Sequence, residues 1–175
     1  IVDAEREVVV LVIGESARSA NFSLYGYERD TNPLLRADSV VTYNAVASAT
    51  STTVAVKAIL DHKPTGKLYE ILPNYLSRNG VDVVWRSTNF GEPPLHIASR
   101  SNLQRLRERY PDADARYDGI LLAGLKEEIE ASEADKMLVV LHTNTSHGPT
   151  YNKKYPEEFE RYVPVCTTVE MSKAD

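Results

Sequence analysis

The sequence predicts an α/β fold, a doubly wound and mostly parallel sheet flanked by helices. Three apolar runs, Glu7–Gly14, Val81–Arg86 and Lys136–His142, are rich in β-branched residues and read as strands buried on both faces. Helical patterns separate them, as in βαβ units rather than hairpins. In such sheets the loops that follow the strands gather on one edge, where ligands bind.

The elements follow in order. "EVVVLVIG" ends in Gly14-Glu15, a carboxylate at a strand tip. Ser16 to Ser23 predicts the start of a short helix, "YGYERDTNP" a loop, and Ser39 to Tyr43 a short strand. "SATSTTVAVKAILD" passes from hydroxyl residues into an apolar periodic stretch, so a helix opens near Ser51–Thr53 and ends before Pro64 and Gly66. Pro73–Arg78 reads as a helix with proline in its first turn, closed by Asn79-Gly80. After the strand "VDVVWR" comes a long loop, then helices over Ser101–Tyr110 and Tyr117–Glu130, then the strand "KMLVVLH" and the loop "TNTSHGPTY".

Composition excludes several classes. The 175 residues carry a net charge of −5, so no basic field exists to hold a nucleic-acid backbone. No apolar run reaches the roughly 18 residues that span a bilayer. Cys166 is the single cysteine, so no internal disulfide forms. There is no Walker loop, GxGxxG, GxSxG, CxxC or HExxH pattern.

Four polar clusters then fall at strand ends or a helix start: Glu15, Thr50–Thr53, Ser87–Glu92 and Thr143–Tyr151. Glu15 suits a zinc or hard-metal ligand, or else a helix cap or a solvated end. The hydroxyls of Thr50–Thr53 either cap a helix or lie in its positive field, beside amides that can cradle a phosphate. A metal there would activate one of them as a nucleophile. His147, in a Gly-Pro turn, suits a metal, a phosphate, a leaving group or a purely structural bond. His142 reads as packed behind the site, and His62 and His96 receive no role.

Together these stretches resemble a known family. "VLVIGESARSANFSLYGYERDTNPLL", "NAVASATSTTVAV" and "HTNTSHGPTYNKKYPEEFERYVPVC" are similar to the periplasmic catalytic domain of lipid A phosphoethanolamine transferases. These enzymes belong to the sulfatase and alkaline-phosphatase-like superfamily. The resemblance implies that residues 1–175 form the N-terminal portion of one such domain, incomplete at its C-terminus. It implies a missing N-terminal transmembrane region and a bacterial inner-membrane protein with this domain in the periplasm.

Carried over residue by residue, Glu15 matches the zinc-ligand glutamate and Thr52 the catalytic, zinc-bound threonine. Thr50, Asn89 and His147 match substrate-binding positions. The implied activity transfers phosphoethanolamine from phosphatidylethanolamine, through Thr52, to a phosphate on lipid A or another envelope glycan. Zn2+ is the implied cofactor. A sulfatase-like hydrolase, a phosphoglycerol transferase and a degenerate headgroup-binding domain are the alternatives.

The chain also departs from the family. Ser48 and Ala58 stand where flanking cysteines are expected, and Ala174 where Cys166 would find its partner. Pro93 replaces a substrate-binding lysine, with Glu92 or His96 as candidate substitutes. No Asp-His-Gly-Glu motif with the remaining zinc ligands is present. The chain by itself is therefore expected to hold zinc weakly or not at all, to be inactive, and to expose apolar surface.

Overall fold

The computed structural model describes residues 5–63 and 69–170. Pro64, Gly66 and Ala174, singled out from the sequence, lie outside the described residues. The strands are β1 (Glu7–Ile13), β2 (Asp82–Ser87), β3 (Ser99–Ser101) and β4 (Lys136–His142). The α-helices are α1 (Pro33–Ala37), α2 (Thr52–Leu60), α3 (Leu72–Arg78), α4 (Leu103–Arg109) and α5 (Leu125–Ala131). One parallel sheet runs in the order β1-β4-β2-β3, bearing out the predicted fold class.

Strand alternation sorts the core into two layers. Val83, Trp85, Leu138 and Val140 face α2 and α3, packing with Val56, Leu60 and Ile71. Val84, Met137, Val139 and Leu141 face the other way, onto Leu106, Ile120, Leu121 and Leu125. β4 lies between β1 and β2, and its Val139 and Val140 are fully buried. Each such side chain contributes about 1.5–3 kcal/mol of burial.

Two buried polar groups brace this frame. Arg86, 1% exposed, donates to the Leu121 and Ala123 carbonyls at 2.9 and 2.6 Å and pairs with Glu128 on α5. It thereby satisfies backbone oxygens at the end of the 3₁₀ turn Asp118–Leu122 and ties that turn to β2. Burial pushes the Glu128 carboxyl up, but bonds from Arg86 and Ser99, with the charges of Arg86 and Arg109, hold it below the usual carboxylate range. On the opposite layer the Trp85 indole N–H donates to Glu92, 3.0 Å away, and Glu92 also pairs with Arg100 on β3.

Several expectations are corrected. β1 is not buried on both faces: Val8, Val9, Val10 and Val12 are exposed and only Ile13 is buried. β1 is an edge strand among the described residues, with one neighbour only. Ser16–Ser23 holds no α-helix; 3₁₀ turns form over Ser19–Asn21 and Ser23–Tyr25. Ser39–Tyr43 is not a strand, because it has no ladder partner, and Val41 and Tyr43 are exposed. The loop after β2 contains β3, too short and polar to read as a strand.

The single helix expected over Tyr117–Glu130 is broken. Gly124 adopts φ +58°, which separates the 3₁₀ turn Asp118–Leu122 from α5. A Cβ there would also lie 2.6 Å from the Tyr110 ring. Gly124→Ala combines a left-handed backbone with overpacking. It is expected to cost about 2–4 kcal/mol in urea denaturation, with an unchanged fold by circular dichroism.

Candidate active site

The parallel register aligns the strand ends. Ile13 of β1 pairs with His142 of β4, which pairs with Ser87 of β2. Thr143 N–H donates to the Ile13 carbonyl and Thr88 N–H to the His142 carbonyl, both at 3.0 Å, which carries the ladder one step further. Glu15, Asn89 and Asn144 each lie two residues past that row, so three distant segments reach one edge.

Glu15 is the hub. Its Oε2 accepts from Asn89 Nδ2 at 2.8 Å and from Thr52 Oγ1 at 3.1 Å. Its Oε1 accepts from Ser16 Oγ at 3.1 Å and lies 3.3 Å from Thr52 Oγ1. Partial burial pushes the Glu15 carboxyl up. Bonds from Asn89, Ser16 and Thr52, with the charge of His147, outweigh that and hold it below its ordinary value. The group is an anion at neutral pH.

Thr52 is the first residue of α2, where the helix dipole is positive. No hydroxyl caps this helix: the Ser51 side chain makes no capping bond, and the Thr52 hydroxyl faces Glu15 instead. Capping, one of the readings the hydroxyl run left open, is not what these two side chains do. The chain after β2 closes on Thr52, since a Cβ on Gly91 would lie 2.9 Å from Thr52 Cγ2.

Asn89 is saturated. Its Nδ2 donates to Glu15 and to the Thr143 carbonyl at 2.9 Å, and its Oδ1 accepts from Phe90 and Gly91 N–H at 2.7 and 3.0 Å. The side chain therefore links all three loops. His147 is exposed, its Nδ1 lies 2.8 Å from the Gly148 carbonyl, and its Nε2 is left for another partner. Thr50 is exposed just before α2 and makes no hydrogen bond to the cluster among the described residues.

Other sequence candidates stand elsewhere. Glu92 is engaged by Trp85 and Arg100, and the backbone N–H of His96 donates to Asn74. His62 stacks edge-on against Tyr69. Cys166 is a free, exposed thiol. His142 is fully buried behind the edge, with Nδ1 3.2 Å from Ser87 Oγ and Nε2 unpartnered.

Sequence reasoning missed Ser16, Gly91 and Asp118. Asp118 accepts from Asn144 and Thr145 N–H and from the Thr88 and Thr145 hydroxyls, clamping the loop that carries His147. Only Ser16 had a visible signal, its position beside Glu15.

Zinc was tested against this donor set. Glu15 and Thr52 offer a carboxylate and a hydroxyl at one point. Among the described residues no group of three or more His, Cys, Asp or Glu stands together. A tetrahedral site needs four ligands, or three and water, so Glu15 and Thr52 could supply two ligands and do not by themselves complete a zinc site.

The parallel sheet with an anion and a hydroxyl at its carboxyl edge defines an α/β protein with a polar site at its strand ends. The chain belongs to the sulfatase family, whose model matches residues 7–174. It is 39% identical over 170 residues to the Helicobacter pylori phosphoethanolamine transferase EptA, covering 94% of this chain and 33% of that protein. The periplasmic domain of the Campylobacter jejuni phosphoethanolamine transferase EptC superposes with TM-score 0.81 at 32% identity, covering 98% of this chain and 55% of that one. The soluble domain of Neisseria meningitidis lipooligosaccharide phosphoethanolamine transferase A gives 0.84 at 29%, covering 99% and 55%. The chain thus spans about a third of the length of the curated relatives it matches. No helix among the described residues is long and apolar enough to cross a membrane.

Asn89→Leu removes a donor from Glu15 and is expected to raise its carboxyl pKa, read by carbon-detected NMR titration. For His142, burial lowers the pKa from 6.5, against the opposing charges of Glu92, Glu15 and Asp118. The unfolded chain then binds the proton first, so stability is full above 6.5 and falls as pH drops below it. His142→Gln is expected to flatten that slope, by up to about 1.4 kcal/mol at roughly pH 5.5 in urea titrations.

Proposed function

We propose that this chain is the nucleophile-bearing part of a phosphoethanolamine transferase. One observation carries the reading: the Thr52 hydroxyl is held against the Glu15 anion at the positive end of α2, with no capping duty. The relatives named above, which cover nearly the whole chain, support the choice of transferred group.

In the first half-reaction the Thr52 oxygen attacks the phosphorus of phosphatidylethanolamine. The bond to the diacylglycerol oxygen breaks, and Thr52 carries phosphoethanolamine as an ester. The hydroxyl proton ends on the departing diacylglycerol oxygen, and Glu15, 3.1 Å away, holds the Thr52 hydroxyl in place for the attack. Free amides of the first α2 turn face the phosphoryl oxygens. In the second half-reaction a phosphate oxygen of lipid A or another envelope glycan attacks the same phosphorus, the bond to the Thr52 oxygen breaks, and the acceptor phosphate's proton returns to that oxygen to restore the hydroxyl.

Zinc is the metal this chemistry calls for, a Lewis acid with Glu15 and Thr52 among its ligands. Its remaining ligands come from outside the described residues, so the chain alone is inactive in this reading. Thr50 and His147 meet the donor's phosphoryl group in this reading. Asn89 acts there through Glu15, whose orientation it sets. The working location is the periplasmic face of the bacterial inner membrane; the Campylobacter relative is likewise a periplasmic domain.

The test is mass spectrometry of envelope lipids and glycans from cells expressing the complete protein. A phosphoethanolamine mass gain is expected, and Thr52→Ala is expected to abolish it. No gain with the unsubstituted protein would sink the reading.

A further inference from the structure

A second cavity opens beside the active edge, and nothing above assigns it. It has a volume of about 760 Å³ and lies between residues 113–120 and 145–159. A smaller inner pocket of about 50 Å³ shares Arg116, Tyr117, Asp118, Thr145 and Lys154 with it and adds Thr88 and Asn144.

Three features describe its ligand. First, the Asn144 side-chain oxygen is buried and has no hydrogen-bond partner, which costs stability unless a donor reaches it. Second, the charges leave one available cation. Arg116 is held by Asp114 at 2.7 Å and lies over the Tyr117 ring, whereas Lys154 is half-buried and makes no ion pair among the described residues. The Asp118 carboxylate is spent on Thr88, Asn144 and Thr145. The exposed Glu157 and Glu158 oppose a polyanion, so the site suits a single phosphate. Third, Tyr117, Tyr155 and Phe159 give flat apolar faces in the wall. A hydroxyl donor, one phosphate and a ring face together describe a phosphorylated sugar.

Position fits the same ligand. Asn144 lies two residues past the His142 row, as Glu15 lies two past Ile13, and Thr145 is two residues from His147. A phosphate held here would stand at the same carboxyl edge of the sheet as Glu15.

We propose that this groove is the acceptor subsite of the transfer. It binds a sugar phosphomonoester, with Lys154 on the phosphate, Asn144 on a hydroxyl, and the aromatic wall against the ring. The inference rests on the transferase reading for its role, but the binding itself does not require Thr52.

The test is amide NMR of this 175-residue chain, titrated separately with glucose 1-phosphate, inorganic phosphate and glucose. Glucose 1-phosphate is expected to shift residues 113–120 and 144–159, at least tenfold more tightly than either other probe. Lys154→Met is expected to weaken it at least tenfold, and Thr52→Ala to leave it unchanged. Shifts confined to the Glu15–Thr52 region, no shifts, or indifference to Lys154→Met would overturn the subsite. Inorganic phosphate binding as tightly would reduce it to an anion site and overturn the sugar assignment. Groove binding with no envelope mass gain sinks the transferase reading alone; a mass gain with no groove binding sinks the subsite alone.

Discussion

β4 pairs with β1 on one side and β2 on the other, and all three strands end on the row Ile13–His142–Ser87. Everything at the candidate site descends from that shared register. A strand places alternate residues on opposite faces, so a slip of one position would turn Trp85 and Val140 out of their layer. It would also move Glu15, Asn89 and Asn144 off their common level. Burial of β4 on both faces makes such a slip costly, and the position of the site inherits that stability.

Beyond the row, the backbone ladder stops and side chains take over. Asn89 replaces it with four hydrogen bonds that join β2's loop to Glu15 and to the Thr143 carbonyl. Asp118 does the same for the loop after β4. A carboxylate that receives several donors stays ionised despite burial, and its preferred geometry fixes the groups that donate. Order at the edge thus rests on two carboxylates, one facing Thr52 and one facing the groove beside it.

The two layers differ in what they hold. The layer under α2 and α3 supports the helix that opens at Thr52 and is braced by Trp85–Glu92–Arg100. The other is braced by Arg86, whose bonds to the carbonyls of residues 121 and 123 set the height of the turn bearing Asp118. Each brace joins sheet core to loop, so core packing is transmitted to the edge. The exposed valines of β1 mark where this frame has a face but no neighbour among the described residues.

Much of this was legible in the chain. Apolar runs marked the strands of a parallel sheet, and β4 is covered on both faces as such a run implies, whereas the β-branched run of β1 stands largely exposed. Glu15, Thr52 and His147 stood out because polar clusters followed those runs. What the sequence could not show was distance. Asn89 bonding to Glu15 across 74 positions depends on β1 and β2 flanking β4, an order decided by packing. Gly124 breaking a helix depends on Tyr110 filling the space a Cβ would need. The exposure of β1 reflects how many strands pair beside it, which its own residues do not encode. Sequence alone set the period, the punctuation and the reactive groups; tertiary structure decided which of those groups meet, because hydrogen bonds act over about 3 Å and strand order sets what comes that close.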